Sequence, residues 1–361
     1  MVIKSISLAD FRNYENISLE PEEGLNILYG DNAQGKTNFL EAIFVAGTTR
    51  SHRGSKDREM IRLGSENAHI RVEIEKNSNR RRIDMELRLN RAKGAAIDGI
   101  SVKKSSDIFG LMHLIFFSPE NLDIIKDGPS ERRRFIDTEL SQVDKIYLYN
   151  LSKYNKVIRQ RNDLLKQLDY NASLADTLSV WDEQLINYGV EIYRARKRFV
   201  DELNEIVKPI HERLSGGKEE LVIKYLPDVT DENFADVTNK EHRGDIFQKT
   251  TRHGPHRDDL VFYINENDAK RFGSQGQQRT AALSVKLSEI DFTKSLTGDT
   301  PALLLDDVLS ELDRNRQEML LSGIGDVQTF ITCTGLEEYI EKRRTSCSVF
   351  RVSGGKIDKE S

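Results

Sequence analysis

Eight residues near the N-terminus, Gly30 to Thr37, read GDNAQGKT and fit the spacing G-x-x-x-x-G-K-[ST]. That spacing binds phosphate. Gly30 and Gly35 let the backbone curl until its N–H groups face phosphate oxygens, and a helix starting at the loop adds the positive end of its dipole. Lys36 is placed to neutralise outer phosphates, and Thr37 to hold Mg²⁺ through its hydroxyl. The expectation is a nucleotide site; the bland alternative is a surface turn.

A phosphate loop of this kind works with a carboxylate at the end of an apolar strand, and PALLLDD supplies one at Pro301 to Asp307. Asp306 is expected to orient Mg²⁺ through water. Asp307 sits where a general base could activate water against a γ-phosphate. A strand-end turn is the other reading of paired aspartates. Lys36 and Asp306 lie 270 residues apart, so something sizeable is inserted between them. A third segment, Phe272 to Glu289, places a serine and glycines before a helix rich in small residues. Taken alone, Ser274 reads as an ordinary N-cap.

The elements that must hold these residues are legible in outline. Val2 to Leu8 and Leu25 to Leu28 read as two short strands separated by PEEG, and Asn38 to Val45 as a helix with apolar spacing of three and four. Between Ile70 and Leu89 a period of two predicts antiparallel strands with one wet face. Helical patterns from Ser130 to about Leu168 and from about Asp176 to Leu214 predict an antiparallel hairpin, with Pro209 kinking or ending its second arm. Strands are expected at Leu221 to Leu226, Leu260 to Ile264 and Ala302 to Leu305, and helices at about Gln277 to Ser295 and at Arg314 to Leu321.

Composition narrows the class. The chain has 361 residues, 37% hydrophobic and 31% charged, with no apolar run near the ~18 residues that span a bilayer. The N-terminus lacks a secretory pattern, and Cys333 and Cys347 read as reduced thiols, so a cytoplasmic protein is expected. Net charge is −5, yet Arg50 to Lys104 holds 15 basic against 8 acidic residues. That basic stretch is either a DNA surface or a solvated, salt-bridged one.

The three motifs in this order resemble the ABC-type ATPase heads of SMC-like DNA-repair proteins. Further blocks, LADFRNY at Leu8, FFSPENLDIIKDGPSERRRFID at Phe116 and GPHRDDL at Gly254, make the chain similar to the RecF family over its whole length. The resemblance implies an α/β fold: a P-loop ABC-type head with mixed sheets, built from residues 1–118 and 299–361, and a second, largely helical lobe, 119–298, with the hairpin and the signature segment. It implies ATP and Mg²⁺ as ligands, with Lys36, Asp306 and Asp307 catalytic and Thr37 and Asp306 holding the metal. Nucleotide contacts would come from Arg12, Asn13, Gly30, Asp31, Asn32, Ala33, Gln34, Gly35, Lys36, Thr37 and Asn38. Across an ATP-sandwiched homodimer, Ser274, Gln275, Gly276, Gln277 and Asp313 would meet the partner's nucleotide. For Arg12 the alternative is a surface salt bridge, and for Asp313 an N-cap of the helix that follows.

Three departures from the general ABC pattern stand out. Asp307 replaces the usual glutamate, which implies slow hydrolysis; Thr334 replaces the usual histidine; and Ser118-Pro119-Glu120 occupies the glutamine-loop stretch. His253 and His256 have no matching ligands nearby for a metal. The function implied is a weak, DNA-dependent ATPase that clamps gapped duplex or single-strand/double-strand junctions and helps RecR and RecO load RecA. Phosphate contacts are expected from Arg50 to Lys104 and from Arg132 to Arg134. Two other classes stand beside it: a DNA scaffold that holds ATP without hydrolysis, and a soluble ABC-transporter subunit.

Overall fold

The computed structural model describes residues 1–104, 107–168, 170–335 and 347–360. They form two compact units, Met1–Leu122 with Val285–Ser361, and Asp123–Ser284. The first unit opens with β1 (Val2–Phe11), β2 (Tyr14–Leu19), β3 (Leu25–Tyr29) and α1 (Lys36–Thr48). It continues through β4 (Asn67–Lys76), β5 (Asn79–Arg88), β6 (Gly94–Ile97), β7 (Ile100–Ser101) and β8 (Leu114–Phe117). The second unit carries α2 (Pro129–Val143), α3 (Lys145–Gln167), α4 (Leu178–Leu214), β9 (Leu221–Leu226) and α5 (Phe234–Gln248). There follow β10 (Asp259–Ile264), β11 (Asn267–Asp268), α6 (Ala269–Phe272) and α7 (Gln275–Thr297). The chain returns to the first unit at Val285, within α7, and goes on through β12 (Ala302–Asp306), α8 (Arg314–Ile324), β13 (Thr329–Cys333), β14 (Cys347–Ser353) and β15 (Lys356–Glu360).

The first unit contains two sheets. One is antiparallel, in the order β2-β1-β4-β5-β6-β7; the other runs β15-β14-β3-β13-β12-β8, parallel except for the β14–β15 hairpin. Alternation explains the first: Ala68, Ile70, Val72 and Ile74 of β4 face inward while their neighbours face water. Continuous burial explains the second, since every residue of β8, β12 and β13 is buried. One core joins both sheets through α1, with Ile6, Val72, Phe39, Ile43, Leu304 and Phe330 among its members. A third strand, β2, was not expected. It forms because Arg12, at φ 56°, and Asn13 turn the chain so that Phe11 pairs with Tyr14, and no glycine or proline marks that turn.

In the second unit α3 and α4 run antiparallel, with Tyr147 meeting Arg196 and Arg161 meeting Asp182. The first arm is not continuous, contrary to the expectation. Asp144 takes an extended conformation and accepts from the N–H groups of Ile146 and Tyr147, capping α3 and separating it from α2. Pro209 does not end the second arm; it lies inside α4, which runs on to Leu214. The later division between units falls between Ser284 and Val285, inside α7 rather than near 299, because Leu287 on the second half of that helix packs against Gly323 of α8.

Buried ion pairs hold the second unit together. Arg161 is fully buried and donates to Asp182, Asp245 and Thr251 at 2.7–2.9 Å. Arg196 joins Asp137, Asp258 and the Pro255 carbonyl. Charges taken out of water are tolerated only while paired, and removing one partner typically costs about 3–5 kcal/mol. Arg161→Ala is therefore expected to lower unfolding stability by about that amount, read as a large drop in the denaturant midpoint; a change within ~0.5 kcal/mol would refute this account of the helical unit.

Candidate nucleotide-binding site

The loop after β3 needs the conformations its glycines provide. Gly30 has φ +154° and Gly35 φ +123°. A Cβ on Gly30 would stand 2.2 Å from the Val352 carbonyl oxygen, and one on Gly35 would stand 2.7 Å from Asn13 and 2.9 Å from the Tyr14 hydroxyl. Two turns grip the loop from outside. From the β1–β2 turn, Asn13 Nδ2 donates to the Gln34 carbonyl at 2.8 Å and Tyr14 to the Gly35 carbonyl at 2.9 Å. From the β14–β15 turn, the Gly354 N–H reaches Gln34 Oε1 and the Gly355 N–H reaches the Gln34 carbonyl. Asn38 completes the clasp by donating to Asn13 Oδ1 at 2.9 Å. Asp31, Asn32 and Ala33 form the exposed crest, with Ala33 at φ 63°. Lys36, the first residue of α1, folds its ammonium onto the Gly30 and Asp31 carbonyls.

The strand-end aspartates lie beside this loop. Thr37 Oγ donates to Asp306 Oδ1 at 2.8 Å, and Thr332 of β13 donates to the same oxygen at 2.8 Å. Burial pushes the Asp306 carboxyl above its ordinary range, more than the two hydroxyls and the charge of Arg53 pull it down. Asp307 takes a left-handed backbone, φ 52°, with its N–H held by the Thr332 hydroxyl at 2.9 Å. Its carboxyl is also raised, first by burial and then by Glu311, against the opposing charge of Lys36. The residues brought together are thus Gly30 to Asn38, Asn13, Asp306 and Asp307. A hydroxyl and a carboxylate 2.8 Å apart are hard oxygen donors suited to Mg²⁺.

Arg12 has a different set of partners. Its guanidinium binds both oxygens of Glu41 at 2.7 and 2.8 Å, the Glu59 carbonyl and the Ser55 hydroxyl. Burial alone would raise the Glu41 carboxyl, but the hydrogen bonds from Arg12 and Ser51 outweigh it and hold the group below its ordinary range. The sequence reading missed Glu41, Tyr14 and Thr332. A glutamate on the apolar face of FLEAIF was the available signal for the first; a tyrosine opening a half-exposed strand and a threonine inside a buried one offered none.

The remaining candidates cap helices or sit apart. In the second unit Ser274 caps α7: its Oγ accepts from the Gln277 N–H while Gln277 Oε1 accepts from the Ser274 N–H. Gln275 is exposed beside it and Gly276 partly so. In the first unit Asp313 caps α8, accepting from the Arg316 N–H at 3.0 Å, and this bond holds its carboxyl low. Thr334 is exposed and lines a cavity of about 220 Å³ with Asp31, Gln34 and Arg351. Glu120 accepts from Ser118, and His253 and His256 are engaged by Asp228 and by Tyr154 with the Thr251 carbonyl.

A phosphate loop between two sheets, with a strand-end aspartate on its threonine, defines a P-loop ATPase head of the ABC and SMC type. The chain belongs to the RecF family. The profile of the RecF/RecN/SMC N-terminal domain matches residues 2–358. A protein of Lachnoclostridium phytofermentans named DNA replication and repair protein RecF is 55% identical over 99% of this chain and 100% of its own length. One of the same name from Clostridium perfringens is 42% identical, with 99% of each chain covered. A solved structure of the recombination mediator RecF with ATP, of the RecFOR pathway, superposes with TM-score 0.92 at 35% identity, covering 100% of this chain and 98% of that one. An SMC head bound to the C-terminal winged-helix domain of ScpA, at 14% identity and TM-score 0.60, shares the fold alone.

Because burial raises the Asp306 carboxyl, the folded protein binds that proton more readily than the unfolded chain. Its contribution to stability is present at low pH and is lost as pH rises through the raised value. Asp306→Asn, which keeps an acceptor for both threonines, should raise the ligand-free melting temperature near pH 7 by roughly 2–4 °C, the shift of about 1 kcal/mol in a domain of this size. The gain should shrink toward pH 4. A variant that melts lower than wild type near pH 7 would contradict the assignment.

Proposed function

We propose that this protein is an ATP-dependent DNA-binding protein of recombinational repair and replication, in which ATP joins two chains into a clamp and hydrolysis reopens it. The observation that carries the reading is the Thr37–Asp306 bond, which brings the phosphate loop and the strand-end carboxylates into one site across 269 residues of chain. The likeness to a RecF solved with ATP supports the choice of nucleotide.

Each residue then has a task. The loop N–H groups from Asp31 to Lys36 bind phosphate oxygens, and Lys36 turns its ammonium from the Gly30 and Asp31 carbonyls to the outer phosphates. Thr37 and Asp306 hold Mg²⁺, which when bound supplies charge neutralisation. Asp307, its backbone fixed by Thr332 and its carboxyl made more basic by burial, takes the proton of the attacking water. Asn13 and Asn38 line the nucleotide, and Arg12 acts by fixing the β1–β2 turn through Glu41. Ser274 with Gln275, Gly276 and Gln277, and Asp313, act across the dimer on the partner's nucleotide. The aspartate base and the absence of a histidine at Thr334 suit slow turnover, a switch rather than an engine.

For DNA, the basic residues that the sequence suggested divide into paired and unpaired groups. On the antiparallel sheet Arg71, Arg81, Arg82 and Arg88 pair with Asp84, Asp98, Asp84 and Glu86. Arg132 is buried against Asp259, and Arg133 donates to the Asp258 carbonyl, so the arginine cluster is largely structural. Among the described residues, Arg50, Arg53, Arg58, Arg91, Lys103 and Lys104 of the basic stretch are exposed with no ion pair, as are Lys145, Lys153, Lys156 and Arg159 of α3, where Lys153 lies over the exposed ring of Tyr149. A basic helix with an aromatic suits a phosphate backbone. The partners we propose are gapped duplex or single-strand/double-strand junctions, then RecR, with RecO and RecA downstream, in the cytoplasm at the nucleoid. Among the described residues no helix is long and apolar enough to cross a membrane.

On a labelled gapped duplex, Mg-ATP is expected to give tighter, protein-concentration-cooperative binding than Mg-ADP, and Lys36→Arg to abolish the difference. Each phosphate neutralised should steepen the fall of log K with log salt by about 0.9. Equal binding with either nucleotide, together with wild-type ATP turnover in Asp307→Asn, would overturn the clamp in favour of a non-hydrolysing scaffold.

A further inference from the structure

The reciprocal bonds between Ser274 and Gln277 leave one group of the glutamine uncommitted, its amide nitrogen. That nitrogen donates to Glu219 Oε1 at 3.0 Å. Glu219 stands just after α4, its side chain mostly shielded and its own N–H on the Ser215 hydroxyl. The helix end behind it is closed by the Ser215 N–H on the His211 carbonyl and the Gly217 N–H on the Glu212 carbonyl. His211, fully buried, places Nε2 3.5 Å from Glu219 Oε2 and Nδ1 2.9 Å from Ser284 Oγ, two turns along α7 from Gln277. The end of α4 therefore grips α7 at two points.

We infer that Glu219 is a positioning residue for the signature segment: by holding the Gln277 amide it fixes the cap in which Ser274 Oγ accepts from the Gln277 N–H, keeping the serine's own hydrogen free to donate outward. A serine hydroxyl has one hydrogen, and a cap that spends only a lone pair leaves that hydrogen for a phosphate oxygen. The carboxylate also lies near the first turn of α7, where negative charge suits the helix dipole. Without Glu219 the Gln277 side chain is held by one bond instead of two. The inference rests on the reading that Ser274 meets the γ-phosphate bound by a second copy of this chain. It adds a residue outside all three motifs.

The test uses the full-length protein with Mg-ATP and three variants: Glu219→Ala, Glu219→Gln and Lys36→Arg. Nucleotide binding by the Glu219→Ala chain should match wild type, because its own phosphate loop is untouched. ATP-dependent dimerisation and turnover should fall at least tenfold. Glu219→Gln, which keeps an acceptor for the amide, should recover most of both. Mixing Glu219→Ala with Lys36→Arg should restore turnover toward half the wild-type level, since one composite site then joins an intact loop to an intact signature segment. Wild-type dimerisation by Glu219→Ala, or a loss that neither Gln nor mixing repairs, would overturn the inference while leaving the clamp in place. A wild-type chain that stays monomeric with Mg-ATP would overturn both.

Discussion

One carboxylate oxygen organises the first unit. Asp306 Oδ1 accepts hydrogen bonds from Thr37, at the start of α1, and from Thr332, at the end of β13. Through it the C-terminal ends of β3, β13 and β12, adjacent strands of a parallel sheet, are held in one plane of chemistry. Parallel strands deliver their ends to the same edge, and the loops leaving that edge carry function in open α/β sheets generally. The aspartate is buried and its carboxyl raised, so the protein keeps it there at a cost in stability. That cost is consistent with a site built to accept a cation rather than to hold the fold.

The loop itself is shaped by what surrounds it. Gly30 meets the Val352 carbonyl and Gly35 meets Asn13 and Tyr14 so closely that no side chain fits at either position. The two turns that clasp Gln34 come from opposite ends of the sequence, β1–β2 and β14–β15. This explains why a head domain assembled from both chain ends can tolerate a large insertion. The loop is braced by elements that precede and follow the inserted unit, and a continuous core through α1 binds both sheets.

Much of this was legible in the residues. Spacing alone located the loop, its helix and the strand-end aspartates, because each depends on local chemistry with a fixed pattern. Period-two alternation located β4 and β5 for the same reason. What stayed hidden depends on distant partners. Nothing near Arg12 announces Glu41 as its counterion, and nothing in SERRRF separates Arg132, buried on Asp259, from Arg134, which is exposed. Charge counts left the basic stretch open between a DNA surface and a salt-bridged one, and only the register of β5 with β4 and β6 shows which strand arginines are paired off. The break at Asp144 was also missed, since an aspartate inside an amphipathic pattern reads as a polar face until its side chain is seen capping α3.

If Thr37 and Asp306 form one metal and nucleotide site, both should be needed to bind the metal. Mn²⁺, which reports its bound state by electron paramagnetic resonance, can be titrated into the full-length protein with ATP for wild type, Thr37→Val and Asp306→Asn. Wild type should bind one tight Mn²⁺ per chain, and only with ATP, while either variant should lose at least tenfold in affinity. Tight, ATP-dependent Mn²⁺ binding that survives both substitutions would contradict that shared site.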